Sequence, residues 1–355
     1  MLRRRPPRPS ASATCSPPAD VPGLNPAVTA QRLLEGFDTY DQHVDVVSAF
    51  EWLFTDPGVK DLPATVAHFE RFPRIPRDQC EPLTPDFTVL FTDGTAIVGE
   101  IAKIALHNNS VDKLCQQIAG YAALDRVPNA TGGFTSVRNP DVLQLVRNQN
   151  GLSTVKRVVV DRYLDADHPY KPSRPPVIAQ YARTDTVYTF QRLPNPENGS
   201  LSTPAGREPN VGEYLDNDLP IRAERFIRIK SRRAFINDPV PALYLATHLW
   251  TRTWPTEHGN NKNDIVVEPK AIAVVLQQQY GHVRTRDVRR ALELLQGAGL
   301  ATKSGDDTWT VSRKLLGRSG DRDVHKIIAR RIGAGAKPLA ARPARPTEPP
   351  QDTLF

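Results

Sequence analysis

Asp86 and Glu100 bracket two runs rich in β-branched and aromatic residues, FTVLF at Phe87–Phe91 and TAIVGEI at 95–101, joined by Thr92-Asp93-Gly94. An Asp-Gly turn between such runs is a hairpin signal. With Gly94 in the left-handed position of a three-residue loop, Phe91 faces Thr95 and, counting outward, Asp86 faces Glu100. Like charges opposed on a sheet cost up to about 1 kcal/mol, so the pair calls for a cation between them. Magnesium or manganese ions, which take hard oxygen ligands, fit two carboxylates completed by a backbone carbonyl and waters. Lys103 follows Glu100 closely, and two acids with an amine are suited to metal-assisted hydrolysis of a phosphodiester. The segment 111–124 (VDKLCQQIAGYAAL) reads as a helix on which Lys113, Gln117 and Tyr121 recur every four residues and share a face.

In this order, Pro85-Asp86, a hairpin, an acid and a lysine resemble the motif of the PD-(D/E)XK nuclease superfamily. Gln117-x-x-x-Tyr121 is similar to the element that follows the lysine in its RecB-like branch. The resemblance covers residues 45–125 by motif and extends to about 239 by element order. It implies a restriction-endonuclease-like α/β nuclease core and a Mg2+- or Mn2+-dependent deoxyribonuclease, with Asp86 and Glu100 on the metal. Glu51, on the apolar-faced helix read over 43–54, fills the upstream acid position, with Glu70 as the alternative. One departure is plain. The family spaces its acid and lysine two apart, on one face of a strand, whereas Glu100-Ile101-Ala102-Lys103 turns Lys103 away. Either a β-bulge at Ile101 or Ala102 restores Lys103 to the site, or Lys113 supplies the amine. A core of this type that had lost cleavage would keep most of these letters, which leaves a DNA-binding or clamp-adaptor protein as the other reading.

Nothing argues for a covalent nucleophile: no Gly-x-Ser-x-Gly elbow occurs, and His107 has no second histidine at metal spacing. Cys15, Cys80 and Cys115 are odd in number and scattered, against a disulfide framework, a four-cysteine zinc site or an iron–sulfur cluster. A formal charge of +7 favours polyanionic partners, DNA first among them. No signal-peptide core or membrane-length apolar run is visible, so the expected location is cytoplasmic, at the nucleoid, with no membrane partner.

Element order supplies the frame. Strands are expected at 141–146, 176–183 and 187–192, a helix at 154–163, and a polar loop over 193–218. The nuclease-like domain then spans 28–239, after a basic Pro-rich tail at 1–27 expected to be disordered. Helices read over 242–253 and 270–280, and a third capped by Thr285, precede a hairpin at 300–303 and 308–312. That order over 240–332 resembles a winged-helix domain. Its third helix carries Arg286, Arg289 and Arg290, with Arg284 before it and Lys303, Arg313 and Lys314 in or after the wing, placed for phosphates. A Pro-rich linker, 333–355, leads to Gln351-Asp352-Thr353-Leu354-Phe355. These residues resemble the pentapeptide that docks bacterial replication and repair proteins onto the DNA sliding clamp, with Gln351, Leu354 and Phe355 as the inserted side chains.

Overall fold

The computed structural model describes residues 26–59, 62, 65–77, 80–102, 108–194, 201, 211–259, 263–281, 283–316 and 323–335. Lys103, His107, both termini and the pentapeptide with Gln351, Leu354 and Phe355 lie outside the described residues.

The chain opens with a 30-residue helix, α1 (Pro26–Thr55), far longer than the 43–54 segment expected. Leu33, Phe37, Tyr40, Val44 and Val47 recur at steps of four and three along it and form one packed face. Then follow β1 (Val66–Arg71), the ribbon β2 (Ile75–Arg77) and β3 (Cys80–Leu83), the hairpin β4 (Phe87–Phe91) and β5 (Ala96–Ile101), and α2 (Asn108–Ala122). A second ribbon, β6 (Arg126–Pro128) and β7 (Phe134–Ser136), precedes β8 (Asp141–Arg147). Next, α3 (Gly151–Thr154) runs into a π-helical segment, Val155–Tyr163. The first half closes with β9 (Val177–Thr184), β10 (Val187–Arg192), α4 (Val211–Asp216), β11 (Leu219–Arg222) and α5 (Ala223–Arg232).

Among the described residues seven strands form the main sheet, in the order β1-β4-β5-β8-β9-β10-β11. The β5–β8 and β8–β9 pairs are parallel and the remaining pairs antiparallel. Parallel neighbours need crossovers, and α2 and the 151–163 helical segment provide them on one face, where Ile118, Tyr121, Val158 and Val159 pack together. On the other face Phe50 and Phe54 of α1, Leu215 of α4 and Phe226 of α5 cover Phe87, Val89 and Phe190. Burial on both faces explains why the central strands read as nearly unbroken apolar runs.

The second half consists of α6 (Ala242–His248), a π-helical turn (Leu249–Thr253), α7 (Trp254–His258), β12 (Ile265–Val267), α8 (Pro269–Tyr280), α9 (Thr285–Gly297), β13 (Ala301–Lys303), β14 (Trp309–Val311) and α10 (Val324–Gly333). Its three strands form an antiparallel sheet in the order β12-β14-β13. Leu243, Leu276, Leu292, Leu295 and Trp309 build its core together with Tyr40 and Val44 of α1 and with Ala234, Phe235 and Ile236. The expected boundary near 239 therefore does not separate the packing, because α1 serves both cores. One cap differs as well. Arg284 is the N-cap of α9, its backbone N–H donating to Asp287 Oδ2 at 3.2 Å, and Thr285 is the first helical residue.

Candidate active site

The hairpin sets the geometry. Phe91 N–H donates to the Thr95 carbonyl at 2.9 Å, Gly94 sits at φ 82°, and the ladder runs from Leu90 opposite Ala96 to Phe87 opposite Gly99. One step further out come Asp86 and Glu100. Asp93 holds the turn, its Oδ1 accepting from Thr95 N–H at 3.0 Å and from the Thr95 hydroxyl at 2.6 Å.

Each carboxylate is held by neighbours of a different kind. Asp86 is buried, accepts from Ile101 N–H at 2.7 Å through Oδ2, and meets His43 Nε2 at 2.8 Å through Oδ1. Glu100 accepts from Gln117 Nε2 at 2.8 Å and from the Tyr121 hydroxyl at 2.9 Å, and Gln117 Nε2 also lies 2.8 Å from that hydroxyl. The Glu100 carbonyl accepts from Gln144 Nε2 at 2.9 Å, which fixes the strand beneath it. Burial pushes the Glu100 carboxyl well above the usual range, and the Asp86 charge pushes the same way, while the Tyr121 and Gln117 hydrogen bonds pull against them. Burial, together with the Glu100 charge, raises the Tyr121 phenol strongly, so it remains a donor.

His43, Asp86, Glu100 and Gln117 open into a cleft of about 320 Å3 lined also by Thr84, Ser110, Lys113, Asn237 and Asp238. Lys113 reaches this cleft from α2. The β5–β8 register runs without a shift through Ile101 opposite Leu145, and Ala102 N–H continues it by donating to the Leu145 carbonyl at 2.9 Å. No bulge interrupts the strand at Ile101, and Ala102, two residues after Glu100, lines the cleft with it.

Glu51 requires a correction. It lies on α1 as expected, but its Oε2 pairs with Arg71 Nη1 at 3.2 Å and its Oε1 with Arg233 Nε at 3.3 Å, and it lines a different cleft. Two guanidiniums draw it away from the Asp86–Glu100 pair. Glu70 pairs with His68 at 3.0 Å and is not among the residues of the Asp86–Glu100 cleft either. The residue of α1 that does reach Asp86 is His43, two turns before Glu51 on the helix. Its only sequence signal is its position on the apolar face of α1, where an ionisable ring is out of place. Asn237 and Asp238, which follow α5, carry no signal in the letters.

Among the described residues no three His, Cys, Asp or Glu side chains form a ready-made metal cage. The donor set still fits magnesium or manganese. Such ions are commonly bound by one or two carboxylates with waters and substrate phosphate, and a Glu100 whose ionised form is disfavoured by burial and by its neighbour Asp86 is a group that a cation relieves.

In the second half, Arg284, Arg286, Arg289, Arg290 and Lys303 are exposed and Arg313 is half-buried. Arg289 is tied to Asp307 between β13 and β14, with Nη2 at 3.0 Å from Oδ1 and 3.1 Å from Oδ2, which links α9 to the hairpin. No described helix is long and apolar enough to cross a membrane. A comparison with protein-family models, curated proteins and solved structures finds no match for this chain.

Proposed function

We propose that this protein is a metal-dependent DNA nuclease with a restriction-endonuclease-like core, a winged-helix DNA-binding half and a clamp-binding tail, acting in replication, repair or defence. The observation that carries the reading is the convergence of Asp86, Glu100, Lys113 and Gln117 on one cleft, with Tyr121 hydrogen-bonded to Glu100 and with Lys113 coming from α2 instead of the strand that carries the family's lysine.

Asp86 and Glu100 would hold a magnesium or manganese ion, which when bound would neutralise charge that builds on the phosphoryl oxygens. The chain's own groups do the positioning. His43 and the Ile101 amide orient Asp86; Gln117 and Tyr121 orient Glu100 and hold it toward its ionised form. Lys113 donates to a non-bridging phosphate oxygen; the attacking water's oxygen bonds to phosphorus as the bond to the ester oxygen breaks, the water's proton passing to solvent and the departing oxygen taking one from solvent. The winged-helix assignment is supported by the helix-strand-helix-helix-hairpin order and the β12-β14-β13 sheet. Its exposed arginines on α9 suit phosphate contacts that position DNA without reading bases.

Ala102 at the family's lysine position favours a second reading, a non-catalytic DNA-binding or clamp-adaptor protein on the same fold. End-labelled single-stranded, duplex and forked DNA, incubated with magnesium or manganese and wild type, Asp86→Ala or Glu100→Ala protein, separates the two. Cleavage that needs metal and both acids supports the nuclease. DNA binding by all three proteins with no cutting under either metal selects the adaptor.

A further inference from the structure

Beside the active cleft lies a larger one of about 870 Å3, in the size range of an organic ligand. It runs between β1, the edge strand of the main sheet, and α8, and the residues that follow α5 border both clefts: Arg233 and Phe235 line this one, Asn237 and Asp238 the other. The two also meet across the β1–β4 pair, where Arg71 sits opposite Phe87 and Phe72 N–H donates to the Asp86 carbonyl at 3.0 Å.

Its charge is one-sided. Arg71, Arg232 and Arg233 line it against a single carboxylate, Glu51, which both Arg71 and Arg233 contact. Arg232 is exposed and makes no ion pair among the described residues. It is the last of three exposed arginines, with Arg225 and Arg228, that recur at steps of three and four along α5 and so form a basic stripe leading to the cleft. Flat apolar surfaces stand among these charges. Phe69, Phe72 and Tyr280 are half-buried in the cleft: Phe69 stacks on Phe87, the Arg71 guanidinium lies 5.4 Å over the Phe72 ring, Tyr280 meets Phe235 edge-on, and Phe72 sits at φ 49°, a left-handed backbone costly for a side chain of its size.

A basic groove interleaved with partly exposed aromatic rings is the chemistry of single-stranded nucleic acid, whose unpaired bases stack on rings while its phosphates track the cations. We propose that this cleft binds a single-stranded segment of the substrate adjacent to the phosphate held at Asp86 and Glu100. The proposal rests on the nuclease reading and names the form of nucleic acid that the site receives.

The test is fluorescence anisotropy of the full chain with a labelled single strand and its matched duplex, in EDTA so that binding is measured without cleavage. The variants are Arg232→Ala, on the surface, and Phe72→Leu, which keeps apolar bulk but removes the flat ring. Arg232→Ala is expected to weaken single-strand binding several-fold and to reduce the slope of log affinity against log salt by about 0.7. Phe72→Leu is expected to weaken it roughly five- to hundredfold with the slope unchanged, as for loss of one stacked base. Duplex binding stays within twofold for both. Unchanged single-strand affinity in Arg232→Ala, or an equal loss for duplex, overturns the proposal. The nuclease reading fails separately, through absence of cutting by the wild type with either metal.

Discussion

Glu100 is pulled in two directions, and its neighbours decide the balance. Burial and the Asp86 charge favour its neutral form, whereas Tyr121 and Gln117 donate to its ionised form. A metal ion binds only the ionised carboxylate, so binding releases a proton and the apparent affinity rises with pH until Glu100 is ionised without the metal. Tyr121→Phe removes one donor to the charged form, raises the Glu100 pKa further and moves this rising limb to higher pH. Manganese titrations by calorimetry at a series of pH values measure it; an unmoved limb contradicts the role given to the hydroxyl. The amine is a separate matter. Lys113 lines the cleft beside Glu100, so Lys113→Ala is expected to lower kcat on the order of 10^2 to 10^3, the loss typical of one positioned charge-stabilising donor. Equal rates for Lys113→Ala and wild type, with a large loss for Lys103→Ala, would return the role to Lys103.

At the scale of elements, the hairpin that presents both acids depends on a glycine with no freedom to change. A Cβ on Gly99 would lie 2.1 Å from the Phe87 ring, which covers that glycine from the opposite strand and stacks at 5.3 Å on Phe50 and at 5.5 Å on Phe69. The ring cannot retreat. Gly99→Ala is expected to cost about 1–3 kcal/mol, as overpacking does, read as a lower midpoint in urea with activity per folded molecule reduced as well. An unchanged midpoint would mean that the aromatic stack yields. The same hairpin was the most legible part of the sequence, because its register follows from local rules: a turn residue at positive φ and strict alternation beyond it. Elements whose pairing is distant were not legible. β11 and α5 (Leu219–Arg222 and Ala223–Arg232) carry an arginine-rich sequence, and packing of Ile221 and Phe226 into the sheet core fixes where they lie. β1 is an edge strand whose residues are mostly half-buried, so its alternation is weak. His43, and not the expected Glu51, reaches the site for a related reason: helical periodicity gives the face of a residue but not which of two clefts, two turns apart, that face adjoins.

The whole molecule is joined by α1, whose Tyr40 and Val44 enter the C-terminal core while Val47, Phe50 and Phe54 enter the sheet core. Around that joint the residues after α5 fold back on α6, and the junction is closed by a histidine. His248 is 5% exposed, with its ring 4.8 Å from Phe235 and 5.0 Å from Tyr280, and burial followed by the Arg252 charge lowers its pKa to about 3. The unfolded chain binds this proton below about pH 6.5, whereas the folded chain refuses it until about pH 3. The stability tied to the neutral ring is therefore fully present above pH 6.5 and is lost as pH falls, at up to about 1.4 kcal/mol per unit across that window. Carboxylates titrate in the same range, so the wild type alone does not isolate the effect. His248→Leu does, because it keeps the bulk beside Phe235 and Tyr280 and removes the proton site. The stability of the wild type minus that of His248→Leu, from urea unfolding at about pH 7, 6, 5 and 4, is expected to fall at each step below 6.5. A constant difference would mean that His248 finds a proton partner in the fold. In that case the junction between the two halves tolerates a charge where the packing of Phe235 and Tyr280 indicates none.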